Sequence, residues 1–131
     1  MSSTDLAFHL SVKDVPARGV AILQIKDAFL NYASAEDLKT NVKELCRARL
    51  ANGVRRFAVD VTRVTVMDSC GLSVLISMKK LVEGESARMS LFGLSPMIQR
   101  LFEITKLEQV FDIRADEQAC LAALSGDAPI A

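Results

Sequence analysis

The chain has 131 residues, 50% of them hydrophobic, enough to bury one complete core without disulfides or metals and too apolar for a disordered tail. Its 16 basic and 16 acidic residues cancel, so no overall basic field draws it to nucleic acid. The three cysteines, Cys46, Cys70 and Cys120, are odd in number, far apart and outside any Cys-x-x-Cys pattern, which reads as reduced thiols in a cytoplasmic protein rather than a disulfide framework.

No apolar stretch approaches the roughly 18–20 residues that span a bilayer. The opening Met1–Asp5 lacks the basic region and apolar run of a signal peptide. The expectation is a single cytoplasmic domain over 1–131, with a core from about 6 to 124, a short flexible tail over 125–131 and no direct membrane insertion.

From Leu6 to Val12 the chain alternates, with Leu6, Phe8, Leu10 and Val12 on one side and Ala7, His9 and Ser11 on the other. That period of two predicts a strand with one buried face. Pro16 and Gly19 punctuate a turn, and Val20–Ile25 reads as a second strand, antiparallel to the first. Residues 26–33 read as a loop. A helix is expected from Ser34, because Ser34-Ala35-Glu36-Asp37 resembles a capping box with Asp in place of Glu. Leu38, Val42, Leu45, Cys46 and Arg49 follow at helical spacing, with the Arg49 stem lying over the apolar stripe. Asn52-Gly53 ends that helix, since glycine adopts the left-handed conformation without penalty.

Arg55 to Thr62 holds Phe57, Val59 and Val61 and predicts a central strand. Val64–Met67 leads into Asp68-Ser69-Cys70-Gly71-Leu72, after which Leu72, Leu75, Ile76, Lys79 and Val82 recur at helical spacing up to Gly84. Met89–Phe92 is a short apolar strand. Ser95-Pro96 opens a further helix, with serine as cap and proline at its first position. Gln109–Ile113 reads as a last strand, and Asp116 caps a closing helix through Ala119, Cys120, Ala123 and Leu124. Strands alternating with helices predict helices layered on a mixed sheet.

Little catalytic chemistry is legible. Asp60, mid-strand, reads as a structural residue near a sheet end. Asp60 and Asp68 alone are too few oxygen ligands for a metal site. A Cys70 nucleophile would need His9, the one histidine, and nothing places the two together. No Gly-rich phosphate loop is present, so no cofactor and no enzymatic activity are expected. Phe29 and Tyr32, in the loop, read equally well as packing over the helix layer or as partner contacts.

The segment Phe57–Leu75 reads FAVDVTRVTVMDSCGLSVL and resembles the central motif of STAS domains, the sulfate-transporter and anti-sigma-factor-antagonist family. There an apolar-D-apolar strand is followed by apolar-D-S-x-G-L-x-x-L, which Asp60, Asp68, Ser69, Gly71, Leu72 and Leu75 match. Leu91–Pro96 is similar to the family's strand-to-helix step, and Leu101–Phe111 to its L-x-x-T-x-L-x-x-x-F ending. The similarity runs from about Val20 to Leu124. Two features depart from the pattern. Lys26–Tyr32 stands where the family often has a glycine and a small polar pair, and Cys70 replaces a common second hydroxyl residue.

The resemblance implies an α/β, STAS-like fold: a four- to five-stranded mixed sheet with about four helices packed mainly on one face. It implies an anti-sigma factor antagonist of the bacterial cytoplasm with Ser69 as phosphoacceptor, and partner contacts through Asp68, Ser69, Cys70, Gly71, Leu72, Asp27, Phe29 and Tyr32. The implied partners are an anti-sigma factor that is also a serine kinase of the histidine-kinase-like ATPase type, and a serine phosphatase. The same motif also fits a STAS subunit of an ABC-type lipid transporter or a scaffold in a stress-signalling complex. Physically, a phosphate at Ser69 adds about −1.5 to −2 charge, which a helix N-terminus accommodates and an apolar or acidic partner surface does not. Gly71 is read as removing side-chain bulk so that a partner or phosphate approaches closely.

Overall fold

The computed structural model describes residues 10–126. Its first two strands, β1 (Leu10–Val15) and β2 (Val20–Ile25), pair antiparallel around a single 3-10 turn over Pro16–Arg18. Gly19 closes that turn at a φ of 67°. Leu10 and Val12 are buried and Ser11 is half-buried, as the alternation requires. Leu6, Ala7, Phe8 and His9 lie outside the described residues.

The chain continues through β3 (Phe29–Leu30), α1 (Tyr32–Ala51), β4 (Arg56–Asp60), β5 (Val66–Met67), α2 (Ser69–Gly84), β6 (Arg88–Phe92), α3 (Pro96–Ile104), β7 (Asp112–Arg114) and α4 (Glu117–Gly126). Five strands form one sheet in the order β1-β2-β4-β6-β7, antiparallel at β1-β2 and parallel elsewhere. The pattern follows from the connections: a three-residue turn can only return the chain antiparallel, whereas helical crossovers carry it back to start a parallel strand. β3 and β5 pair separately as a two-stranded parallel ribbon, with Phe29 opposite Val66 and Leu30 opposite Met67.

Alternation along the central strand distributes the core over two faces. Phe57 and Val59 join Leu23, Leu38, Val42, Leu75, Leu91, Ile98 and Phe102 under α1, α2 and α3. Ala58 points the other way, with Val20, Ile22 and Phe92, and is covered by Cys120 and Leu124 of α4. Three of the four helices therefore share one face.

Several boundaries differ from the sequence reading. Residues 26–33 are not all loop: Phe29–Leu30 pairs with β5, and α1 starts at Tyr32. Asn31 is the cap, its Oδ1 accepting from the Ala33 N–H at 3.0 Å, while the Asn31 N–H donates to the Ser34 Oγ at 3.3 Å. Ser34 thus fills the third position of the capping box rather than the first. The helix ends at Ala51 with Gly53 at a φ of 91°. Arg49 does more than cover apolar surface, since its guanidinium forms a bidentate pair with Asp14, at 2.8 and 2.9 Å, tying α1 to β1. Gln109 ends a 3-10 turn over Leu107–Gln109, so the last strand begins only at Asp112. Asp116 accepts from the Ala119 N–H at 2.9 Å, as a cap should. α4 reaches Gly126, so Ser125 and Gly126 are helical rather than tail, and residues 127–131 lie outside the described part.

Candidate functional site

β5 is followed at once by Asp68, whose backbone is extended and whose side chain caps α2. Asp68 Oδ1 accepts from the N–H groups of Cys70 at 2.9 Å and Gly71 at 3.0 Å. Because Asp68 supplies the cap, the hydroxyl of Ser69 is not consumed as one. Ser69 and Cys70 are both exposed on the first turn of α2.

Asp68 is also bound to the segment that begins α1. Its N–H donates to the carbonyl of Leu30 at 3.1 Å, and its Oδ2 accepts from the Tyr32 N–H at 3.2 Å. The N-termini of α1 and α2 therefore lie side by side, with Ser69 at the second. Helix N-termini carry a partial positive charge, and here the Asp68 carboxylate already takes the Cys70, Gly71 and Tyr32 amides.

Gly71 and Leu72 require a correction. Both are buried rather than standing at the surface with Ser69 and Cys70. A Cβ on Gly71 would stand 2.4 Å from the Leu30 carbonyl oxygen and 2.9 Å from both Leu30 Cγ and Met67 Cγ. The missing side chain lets α2 pack against the β3-β5 ribbon inside the molecule; it does not open a way for a phosphate. Leu72 belongs to the core beneath.

Phe29 and Tyr32 are not packed over the helix layer. They are 60% and 77% exposed. Val66, opposite Phe29 in the ribbon and two residues before Asp68, is exposed as well, so two apolar side chains stand together there. Sequence reasoning missed Val66, since its position follows from a strand pairing across 37 residues, shown by Thr65 and Val66 both donating to the Ala28 carbonyl at 2.8 and 3.2 Å. Asp27 precedes Ala28 and is half-buried beside the same ribbon.

Asp60 ends β4. Its Oδ1 accepts from the Thr62 N–H at 2.9 Å and from the Thr62 hydroxyl, and its Oδ2 accepts from Gln24 Nε2 at 3.3 Å. That is a turn at a strand end. Cys46 and Cys120 are buried, and burial is the main cause that pushes each thiol up to about 12. Among the described residues, no group of three or more His, Cys, Asp or Glu side chains is arranged to hold a metal ion, and no helix is long and apolar enough to cross a membrane.

The model of the STAS domain family matches residues 13–120. The chain belongs to the STAS family. Within it, the Anti-sigma-B factor antagonist of Listeria monocytogenes is 41% identical over 56 residues, which are 43% of this STAS chain and 49% of that protein. The chain thus spans about half the length of that curated relative. Among solved structures, the protein TM1081 of Thermotoga maritima superposes with a TM-score of 0.76 at 20% identity, covering 88% of this chain and 93% of the other. The Bacillus cell fate determinant SpoIIAA, solved in its phosphorylated form, gives a TM-score of 0.60 at 17% identity over 84% and 95% of the two chains. These likenesses agree with the mixed sheet and helix layering described above.

Proposed function

We propose that this STAS domain is an anti-sigma factor antagonist whose surface around Ser69 binds an anti-sigma factor, and that phosphorylation of Ser69 ends the complex. The observation that carries the reading is the placement of Ser69: exposed, first in α2, and relieved of capping duty by Asp68. The names of the STAS relatives support the partner class, and a neighbour of the same fold solved as a phosphoprotein supports the chemistry.

In the unmodified state, Phe29, Tyr32 and Val66 offer apolar area beside Ser69 and Cys70 for burial against the partner. Aromatic side chains of this kind dominate interface energetics. The partner is an anti-sigma factor with serine kinase activity, and it brings its own ATP. Transfer of the γ-phosphoryl group to the Ser69 oxygen releases ADP and the hydroxyl proton. The resulting dianion stands on the first turn of α2, where the helix dipole favours negative charge, but has to be desolvated against the docked surface. A loss of about 2.7 kcal/mol there weakens binding roughly 100-fold. A serine phosphatase reverses the change.

Phosphosite mapping of the protein isolated from its own cells tests this directly. Phosphate on Ser69 is expected, Ser69→Ala is expected to hold the serine kinase partner, and Ser69→Asp to hold it about tenfold or more weakly. Equal binding by wild type and both variants, or protein that never carries phosphate on Ser69, would overturn the reading.

A further inference from the structure

Capping α2 uses one oxygen of Asp68, and an asparagine would serve as well, since Asn and Asp are equivalent caps. The second oxygen is engaged elsewhere. Oδ2 accepts from the Tyr32 N–H at 3.2 Å, while the Asp68 N–H donates to Leu30 O at 3.1 Å. Residues 30 and 32 are thus clamped by a single residue, Asp68, 36 positions after Tyr32. Between them Asn31 caps α1. Just before them stands Phe29, paired with Val66.

We propose that Asp68 is a positioning residue that sets the partner-facing aromatics Phe29 and Tyr32 in register with Ser69, so that recognition and phosphoryl acceptance occur on one rigid surface. This rests on the function proposed above. The clamp is specific to a carboxylate. With asparagine at position 68, Oδ1 still caps α2, but an NH₂ group faces the Tyr32 N–H, donor against donor. A bond between an amide and an ionised carboxylate is among the stronger ones. Its loss frees the start of α1 while leaving α2 intact.

Two measurements on the full chain test the proposal. In Asp68→Asn, amide hydrogen exchange at Tyr32 is expected to rise about tenfold, with Cys70 and Gly71 unchanged within about twofold. The initial rate of Ser69 phosphorylation in an ATP-supplemented extract of the protein's own cells is expected to fall about tenfold in Asp68→Asn and in Tyr32→Ala. Because Asp68 acts in part through Tyr32, the double variant is expected to be less impaired than the product of the two single losses, which is the non-additivity of coupled residues. Multiplicative losses would show that Asp68 acts independently of Tyr32 and would overturn the proposal, as would unchanged exchange at Tyr32. If the extract leaves wild-type Ser69 unmodified, the switch reading fails and the recognition role falls with it, while the exchange data still decide whether the clamp exists.

Discussion

Gly71 is the residue where a motif position acquires a mechanical cause. The first turn of α2 lies so close to β3 that a methyl group would stand 2.4 Å from the Leu30 carbonyl oxygen, a backbone atom that cannot swing aside. Alanine favours a helix over glycine by about 1 kcal/mol, and that gain opposes the clash. Overpacking against a fixed neighbour typically costs about 1–3 kcal/mol, occasionally more. The clash wins, because relieving it means moving either α2 or the ribbon that carries Phe29 and Val66. An approach of 2.4 Å to a backbone oxygen belongs at the upper end of that range, so Gly71→Ala is expected to lower the urea midpoint by an amount equivalent to about 2 kcal/mol net. An unchanged or raised midpoint would mean that α2 does not sit against Leu30. At the same scale, Asp68 and Ser69 were legible from sequence as the entry to α2 because a short linear motif holds them, whereas Phe29 and Tyr32, outside that motif, read equally well as packing or as partner contacts. The buried state of Gly71 and Leu72 was not legible, because the surface that buries them comes from residues 30 and 67, and only Met67 is adjacent in sequence.

At the scale of elements, α1 is the informative case. Local pattern pointed to Ser34 as its cap, since Ser34-Ala35-Glu36-Asp37 carries a capping-box signature. The true start is set by tertiary structure. Phe29–Leu30 is held as strand by β5, the strand ends at Leu30, and Asn31 is the next residue able to cap. Ser34 then falls where its hydroxyl accepts from the Asn31 N–H. The β3-β5 ribbon itself, two residues on each side, is too short to produce a periodic signal. β7 was misplaced for a related reason: apolar Val110 and Phe111 look strand-like, but they follow a 3-10 turn over Leu107–Gln109, entered through Lys106 at a φ of 63°, and the strand begins only at Asp112. Stronger patterns served better, as in the helical spacing of α2 and the apolar, β-favouring runs of β2, β4 and β6. If Asn31 is the working cap, Asn31→Ala is expected to destabilise the fold by about 1 kcal/mol, clearly more than Asp37→Ala, which the sequence reading placed in the box. Thermal unfolding of the two variants separates the assignments, and equal losses would restore Ser34 as the cap.

For the whole molecule, one sheet serves two cores. The larger lies under α1, α2 and α3, and the smaller under α4. Consecutive residues of β4 feed both, Phe57 and Val59 one and Ala58 the other. A strand cannot lose one face and keep the other, so the two layers should unfold together. The cysteines make this measurable, because Cys46 sits in the larger core, Cys120 in the smaller, and Cys70 on the surface. In the native state a thiol reagent is expected to modify Cys70 alone. With increasing urea, Cys46 and Cys120 are expected to become reactive at one shared midpoint, read by mass spectrometry of the labelled peptides. Earlier labelling of Cys120 would show that α4 detaches as a separate unit. The same two groups set an alkaline limit. Burial raises each from an ordinary thiol value of 9.0 to about 12. Between these values the unfolded chain has released the proton that the folded chain still holds, so raising the pH favours unfolding. Their contribution is complete below about pH 9 and falls away as the pH rises toward 12. The urea midpoint is therefore expected to drop across that window in the wild type, and to drop less in a Cys46→Ala, Cys120→Ala double variant compared with its own value at neutral pH. An equal drop in both proteins would assign the alkaline loss to other groups.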